Sequence, residues 1–383
     1  MAWLSDTAEA GHYDVMAAMM GLAAKGGPTP WRQAASLVRL TFGRQRIRPE
    51  EYFTYSLWRA DRGRDFQRDF LANRRTRAFN SSLLMPDRGI DTVTVNDKLA
   101  TEALLRARGL PFCQTRAAYA PEGVAIPALD HLRGLRSAAD LQDFLADPAN
   151  LPVFGKPRSD SFARGAAMIS GHAGPGEVRF LTGKTAPIPG LAAEIVAGWP
   201  EGYLFQPFYR SAPELQAHFG AAMASLRIVT LWTDAGVEPW YAVIRLPAKT
   251  AMHDGDADDE RIWGLIDLAS GKVVKLRSLR DPHAGDLTHG NDPEVPFLGV
   301  TLPHWEQAIQ LCRTAHESFP GHGVIGWDVF LTDQGAILNE ANGSPGHLYQ
   351  VAAQRPLLNP DMRPAYERAR TFARKHGGGK ARF

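Results

Sequence analysis

Two carboxylates and an amide crowd one short stretch, residues 324–346, V-I-G-W-D-V-F-L-T-D-Q-G-A-I-L-N-E-A-N-G-S-P-G. Apolar runs over 324–331 and 336–338 flank Asp333-Gln334-Gly335, and a short loop ending in glycine between such runs signals a β-hairpin. With a three-residue loop, Asp328 lies opposite Glu340. Like charges directly opposed in a ladder destabilise it, so two carboxylates on one face of an apolar hairpin point to a cation between them. Asn342, two residues beyond Glu340, shares that face, and Asp, Glu and Asn oxygens are the donors that a hard cation such as Mg²⁺ accepts. The competing reading is a surface hairpin with solvated carboxylates.

Basic residues elsewhere stand where an anion would be met. In V-N-D-K-L-A-T-E-A-L-L-R-A-R-G-L, residues 95–110, Asn96 or Asp97 caps a helix and Gly109 stops it. Lys98 then sits in the first turn, where it opposes the helix dipole and suits a group aimed at an anionic ligand. A strand over 151–155 ends in Lys156, and the polar segment P-R-S-D-S-F-A-R-G follows. The hydroxyls of Ser159 and Ser161 and the backbone N–H groups of that segment suit phosphate oxygens, although a single glycine makes it no Walker loop.

The strand G-Y-L-F-Q-P-F-Y, residues 202–209, contains Pro207, which argues against pairing on both sides. Its free backbone groups could bond the edge of an adenine between aromatic walls; a buried core strand is the alternative. Arg227 and Arg245 interrupt the apolar strands S-L-R-I-V-T-L-W and W-Y-A-V-I-R-L. Their anionic partner is either a phosphate or Asp328 or Glu340.

The elements that must hold these groups read as a mixed chain. Residues 1–84 look helical, broken at Gly26-Gly27-Pro28, with a second helical region over 49–77. Arg44, Arg46, Arg48, Arg59, Arg62, Arg64, Arg68, Arg74, Arg75 and Arg77 crowd this region; interleaved Glu50, Glu51, Asp61, Asp65 and Asp69 favour solvated helix faces over a phosphate-binding one. Strands are expected over 111–118 and around hairpin turns at 234–236 and 270–271. Helices are expected over 138–145, 211–220, 303–319 and 360–375. Residues 252–261 read as an acidic loop and 376–383 as a disordered tail.

With 383 residues, 44% hydrophobic, the chain exceeds one ordinary core. A net charge of +2 gives no global basis for nucleic-acid binding. Cys113 and Cys312 lack partners at zinc spacing, no run reaches membrane-spanning length, and the acidic N-terminus is unlike a secretory signal, so a cytoplasmic protein is expected.

Taken in order, Lys98, Lys156, Arg227, Arg245, Asp328, Glu340 and Asn342 resemble the signature of the ATP-grasp superfamily, over about residues 95–350. The nearest likeness is to the sugar-transfer-associated group, related to α-L-glutamate ligases, and the hairpin also resembles that of D-alanine:D-alanine ligases. The resemblance implies an α+β ATP-grasp fold in which two subdomains, residues 85–210 and 211–375, sandwich ATP, beside a helical region at 1–84. It implies that Lys98 and Lys156 bind ATP phosphates, that the segment with Ser159 and Ser161 closes over them, and that Gln206 and Phe208 line the adenine. Glu214 would meet the ribose, Arg227 the transferred phosphate, and Asp328, Glu340 and Asn342 one or two Mg²⁺ ions, or Mn²⁺. Gly326 stands where the D-alanine ligases carry an arginine, a place Arg245 could fill. The implied activity joins a small-molecule carboxylate to an amine through an acyl phosphate. The alternatives are phosphorylation of a small hydroxyl substrate and a non-catalytic nucleotide-binding scaffold, and the oligomeric state stays open.

Overall fold

The computed structural model describes residues 3–4, 14–43, 46–59, 69–127, 129–159, 165–220, 223–247, 262–279 and 285–379. Ser161, Arg44, Arg62, Arg64, Arg68 and the acidic stretch 252–261 lie outside the described residues. The fold is α+β, built on two sheets, with a helical N-terminal region formed by α1 (Val15–Ala24), α2 (Pro30–Phe42), α3 (Pro49–Thr54) and α4 (Asn73–Ser81).

After α5 (Thr92–Asn96) and α6 (Lys98–Ala107) comes the smaller half. Its strands are β1 (Ala117–Tyr119), β2 (Arg133–Leu135), β3 (Val153–Pro157), β4 (Ala167–Gly174), β5 (Glu177–Phe180), β6 (Thr185–Pro187) and β7 (Tyr203–Pro207), with α7 (Ala138–Ala146) and α8 (Ile188–Gly198) between them. They form one seven-stranded sheet in the order β2-β1-β7-β3-β4-β5-β6. The expected strand over 111–118 shrinks to β1, because residues 111–113 turn away to the other half: Phe112 bridges Leu338 and the Cys113 N–H donates to the Leu338 carbonyl. Against expectation, β7 is paired on both sides. Pro207 is tolerated because β1 pairs only through Phe205, so at the proline rung only β3 is opposite, through Val153.

The second sheet is a meander of β8 (Ser225–Thr233), β9 (Gly236–Leu246), β10 (Ile262–Ile266) and β11 (Val273–Ser278), closed by β12 (Val324–Thr332) and β13 (Gly335–Asn342). Its order is β11-β10-β9-β8-β12-β13. Alternation along the strands separates two cores. Leu226, Ile228, Ile244, Ile325, Trp327 and Val329 face one side with α10 (Trp305–His316), while Val229, Tyr241 and Val243 face the other, with Phe79 of α4 and Tyr366 of α12 (Arg363–Lys375). Two short helices, α9 (Pro213–Phe219) and α11 (Tyr349–Ala353), complete the set. Helix α6 bridges the halves: Leu99 packs on Ala118 and Leu204 of the small sheet, and Leu105 joins the core of the large one.

At the C-terminus the glycine run begins as a cap rather than a tail. Gly377 takes a left-handed φ of 81°, and the Gly378 N–H reaches back 2.8 Å to the Ala373 carbonyl, closing α12.

Candidate active site

The β12–β13 hairpin brings Asp328 opposite Glu340, but by a different route from the three-residue loop. The loop has two residues, Asp333 and Gln334; Thr332 pairs with Gly335, whose φ of 120° suits glycine. That register alone would set Asp328 against Asn339. A bulge restores the pairing, since Asp328 pairs with Glu340 and Val329 with Leu338, leaving Asn339 as the extra residue.

Cross-strand register then writes out the face. One rung reads Glu340, Asp328, Arg227 and Val243 across β13, β12, β8 and β9; the next on that face reads Asn342, Gly326, Val229 and Tyr241. Arg245, opposite Ser225, is diagonal to Arg227 on the same face. Arg227 and Asp328 form a buried fork, Nε to Oδ1 at 2.5 Å and Nη2 to Oδ2 at 2.9 Å, and Arg245 Nη2 adds a contact to Oδ2 at 3.5 Å. Burial works against the charge of Asp328, but Arg227, Arg245 and Lys156 outweigh it and hold its pKa below the ordinary carboxylate value. Burial likewise opposes the guanidinium of Arg227, and Asp328 more than offsets it.

The lysines approach this face from the small sheet and α6. Asp97, the N-cap of α6, accepts from the Leu99 and Ala100 N–H groups. It also holds Arg158 through Nε at 3.1 Å, which ties the helix to the end of β3. Lys98 Nζ donates to the Arg158 carbonyl at 3.3 Å and lies 3.8 Å from Glu340 Oε1. Lys156 Nζ donates to Asn339 Oδ1 at 2.8 Å. Burial, with Lys98 nearby, lowers the pKa of Lys156, partly countered by Cys113, Glu340 and Glu102.

Four sequence-selected residues stand apart from this cluster. Gln206 shares a face of the small sheet with Leu204, the partner of Lys156, but its amide is engaged inward by the Cys113 carbonyl and Thr115 Oγ1, both at 3.4 Å. Phe208 is half-buried just beyond β7, Ser159 is exposed beyond β3, and Glu214 is exposed in the first turn of α9. Sequence reasoning passed over Arg158 and Asn339. The first is the residue after Lys156-Pro157, where a charged partner for the helix cap was available; the second was hidden because alternation assigned it to the opposite face.

The turn after β13 is anchored from the N-terminal region. Asn80 of α4 donates to Ser344 Oγ at 3.1 Å and to the Pro345 carbonyl at 2.9 Å, and its Oδ1 accepts from His347 Nε2 at 2.8 Å. Tyr241 OH donates to His347 Nδ1 at 3.0 Å. A Cβ at Gly326 would lie 2.7 Å from Pro345 Cβ and 3.2 Å from Arg227 Cδ, so the space over this glycine belongs to the turn and to the Arg227 stem. Gly326→Ala is therefore expected to cost about 1–3 kcal/mol of stability through overpacking, read as a lower melting temperature, and Gly326→Arg more.

The donor set accommodates a hard cation. Among the described residues no cluster of three or more His, Cys, Asp or Glu could hold a metal, so any third protein oxygen beside Asp328 and Glu340 would have to come from another residue type. Asn342, on the same face, is the nearest amide by register, and its Nδ2 is buried without a hydrogen bond. The Glu340 side chain keeps 30% exposure, and Asp328 retains lone pairs beyond those taken by the arginines.

A family model described as sugar-transfer associated ATP-grasp matches residues 87–362, well over half of the sequence. The chain belongs to the sugar-transfer-associated ATP-grasp family. Lys98, Lys156, Arg227, Arg245, Asp328, Glu340 and Asn342 all fall within the matched span. Among solved structures, the chain is similar to an N5-carboxyaminoimidazole synthase from Aspergillus clavatus complexed with ADP and 5-aminoimidazole ribonucleotide (13% identity, TM-score 0.36, 68% of this chain and 50% of that one). It is also similar to the D-alanine-D-alanine ligase of Helicobacter pylori (14%, 0.40, 73% and 61%) and an L-amino acid ligase of Bacillus licheniformis (11%, 0.38, 76% and 51%). The chain thus matches about half the length of the synthase. No curated protein matches the sequence.

Proposed function

We propose that this ATP-grasp protein is an ATP-dependent carboxylate–amine ligase. The γ-phosphoryl group of ATP passes to a substrate carboxylate oxygen, and an amine attacks the acyl phosphate carbon and displaces phosphate, so ADP and phosphate leave. The observation that supports this most is the convergence of Lys98 and Lys156 on the hairpin that carries Asp328, Glu340 and Asn342, beside Arg227 and Arg245.

Phosphoryl transfer asks side chains for positioning and charge neutralisation more than for covalent chemistry. Lys98 and Lys156 exchange Glu340 and Asn339 for phosphate oxygens, and an arriving anion favours the charged form that burial disfavours at Lys156. Ser159 and Ser161 lie in the segment that covers the phosphates. Gln206 and Phe208 line the base, Glu214 meets the ribose, and Arg227 and Arg245 stabilise charge developing on the transferred and acyl groups. Asp328, Glu340 and Asn342 hold Mg²⁺, with two ions expected and Mn²⁺ able to replace it; when bound, the metal neutralises phosphate charge. Division at residues 85–210 and 211–375 assigns the lysines to one subdomain and the metal ligands to the other.

Calorimetric titration with ADP, with and without Mg²⁺, tests the site without the unknown substrates. Micromolar binding that tightens with Mg²⁺ is expected, and absence of binding to folded protein would refute the nucleotide site. Carboxylates screened with ATP and hydroxylamine then yield hydroxamate if an acyl phosphate forms. A hydroxyl-phosphorylating enzyme gives none.

A further inference from the structure

Residues 15–49 contain Lys25, Arg32, Arg39, Arg44, Arg46 and Arg48 and no Asp or Glu, in a chain of net charge only +2. The same stretch exposes Met16 and Met20 on α1 and Trp31, Val38 and Phe42 on α2, with Trp31 87% and Phe42 85% exposed. At about 100° per residue, positions 31, 38 and 42 fall within about 20° of one line along the helix. The buried face of α2 is a different one, formed by Gln33, Leu37 and Leu40. Arg32 and Arg39, both exposed, each follow a member of the apolar row, about 80–100° round the helix from it. At the end of α2, Phe42 and Gly43 open with Arg46, Arg74 and Arg75 onto a cavity of about 530 Å³ whose described lining has no acidic residue.

We propose that the exposed apolar row of α2 docks the protein on a bilayer surface rich in anionic phospholipid. Trp31, Val38 and Phe42 enter the boundary between headgroups and acyl chains, and Arg32 and Arg46 near them meet lipid phosphates. The cavity lined by Arg46, Arg74 and Arg75 takes a headgroup. A soluble polyanion would engage the arginines and leave the apolar row in water, and an apolar protein surface would cover the row without using the guanidinium groups beside it. A bilayer surface satisfies both. Among the described residues no helix is long and apolar enough to cross a membrane, so this contact is peripheral.

Flotation of the full chain with vesicles of phosphatidylcholine, alone or mixed with phosphatidylglycerol, tests the inference. Binding to the mixed vesicles only, weakening as salt rises, is the expected result. Trp31→Ala with Phe42→Ala, both exposed and of little consequence for folding, is expected to weaken it roughly tenfold or more. Arg32→Gln with Arg46→Gln is expected to weaken it roughly fivefold per charge. Failure to bind anionic vesicles, or binding unchanged in both variants, would overturn the proposal. So would equal binding to heparin that survives Trp31→Ala with Phe42→Ala, which assigns the face to a soluble polyanion, or a wild-type dimer that this variant dissolves.

Discussion

Arg227→Leu is expected to lower the free energy of unfolding by about 3–5 kcal/mol, the range for breaking one side of a buried ion pair. The loss comes less from the missing attraction than from what remains. Asp328 stays buried, and its nearest surviving cation is Arg245, 3.5 Å from Oδ2. Replacing both members, Arg227→Leu with Asp328→Leu, removes the stranded charge and recovers much of the stability, so the pair is strongly non-additive. Urea denaturation at neutral pH measures all three variants. Asp328→Asn keeps the shape but leaves Arg227 without its counter-charge, so it is tested as folded protein: there, tightening of ADP binding by Mg²⁺ is expected to weaken sharply. If that response is unchanged, Asp328 is not a metal ligand.

Acid is expected to destabilise the protein through buried histidines, His316 and His347 foremost. His316 bonds Thr230 Oγ1 through Nδ1 and the His322 carbonyl through Nε2, both at 2.7 Å, and burial takes its pKa down to about 3. His347, between Tyr241 OH and Asn80 Oδ1, is also taken down to about 3, by burial first and by Arg227 second. Both folded values lie below the ordinary 6.5, so between about pH 6.5 and pH 3 the unfolded chain binds more protons. Stability from these groups is therefore complete above 6.5 and falls as the pH drops, at up to about 1.4 kcal/mol per pH unit for each histidine. Unfolding free energies across this window should fall as the pH drops, with His322 and His218, whose pKa values burial also lowers, adding in the same sense, and the fall should be shallower in His347→Gln. An unchanged slope in that variant would assign the titration elsewhere. Below pH 3.8, protonation of Asp328, whose folded pKa is lowered, adds a further loss of the same sign.

What was legible in the residues were patterns carried by local chemistry. The Asp97 cap of α6, the glycine stop at Gly109, the strand ending near Lys156 and the two-strand runs around Asp328 all follow from caps, turns and alternation. The pairing of Asp328 with Glu340 followed too, although the assumed loop was one residue too long. A bulge compensates for a short loop only in three dimensions, so Asn339 stayed hidden while its neighbours were found. Pro207 misled because its meaning depends on where the neighbouring strand stops, which is set by β1 and not by β7. The departure of residues 111–113 to Leu338 and the hold of Asn80 on the turn at Ser344 depend on contacts across much of the chain, which local patterns do not encode.

The bulge at Asn339 also constrains how this hairpin can change length. Adding one residue to the two-residue turn while deleting Asn339 would leave Asp328 facing Glu340 across an unbroken ladder, so the carboxylate face would survive the exchange. The partner of Lys156 would not, because no residue would be left over to reach the other sheet. A turn insertion and a strand deletion that look silent for one half of the site would thus uncouple it from the other.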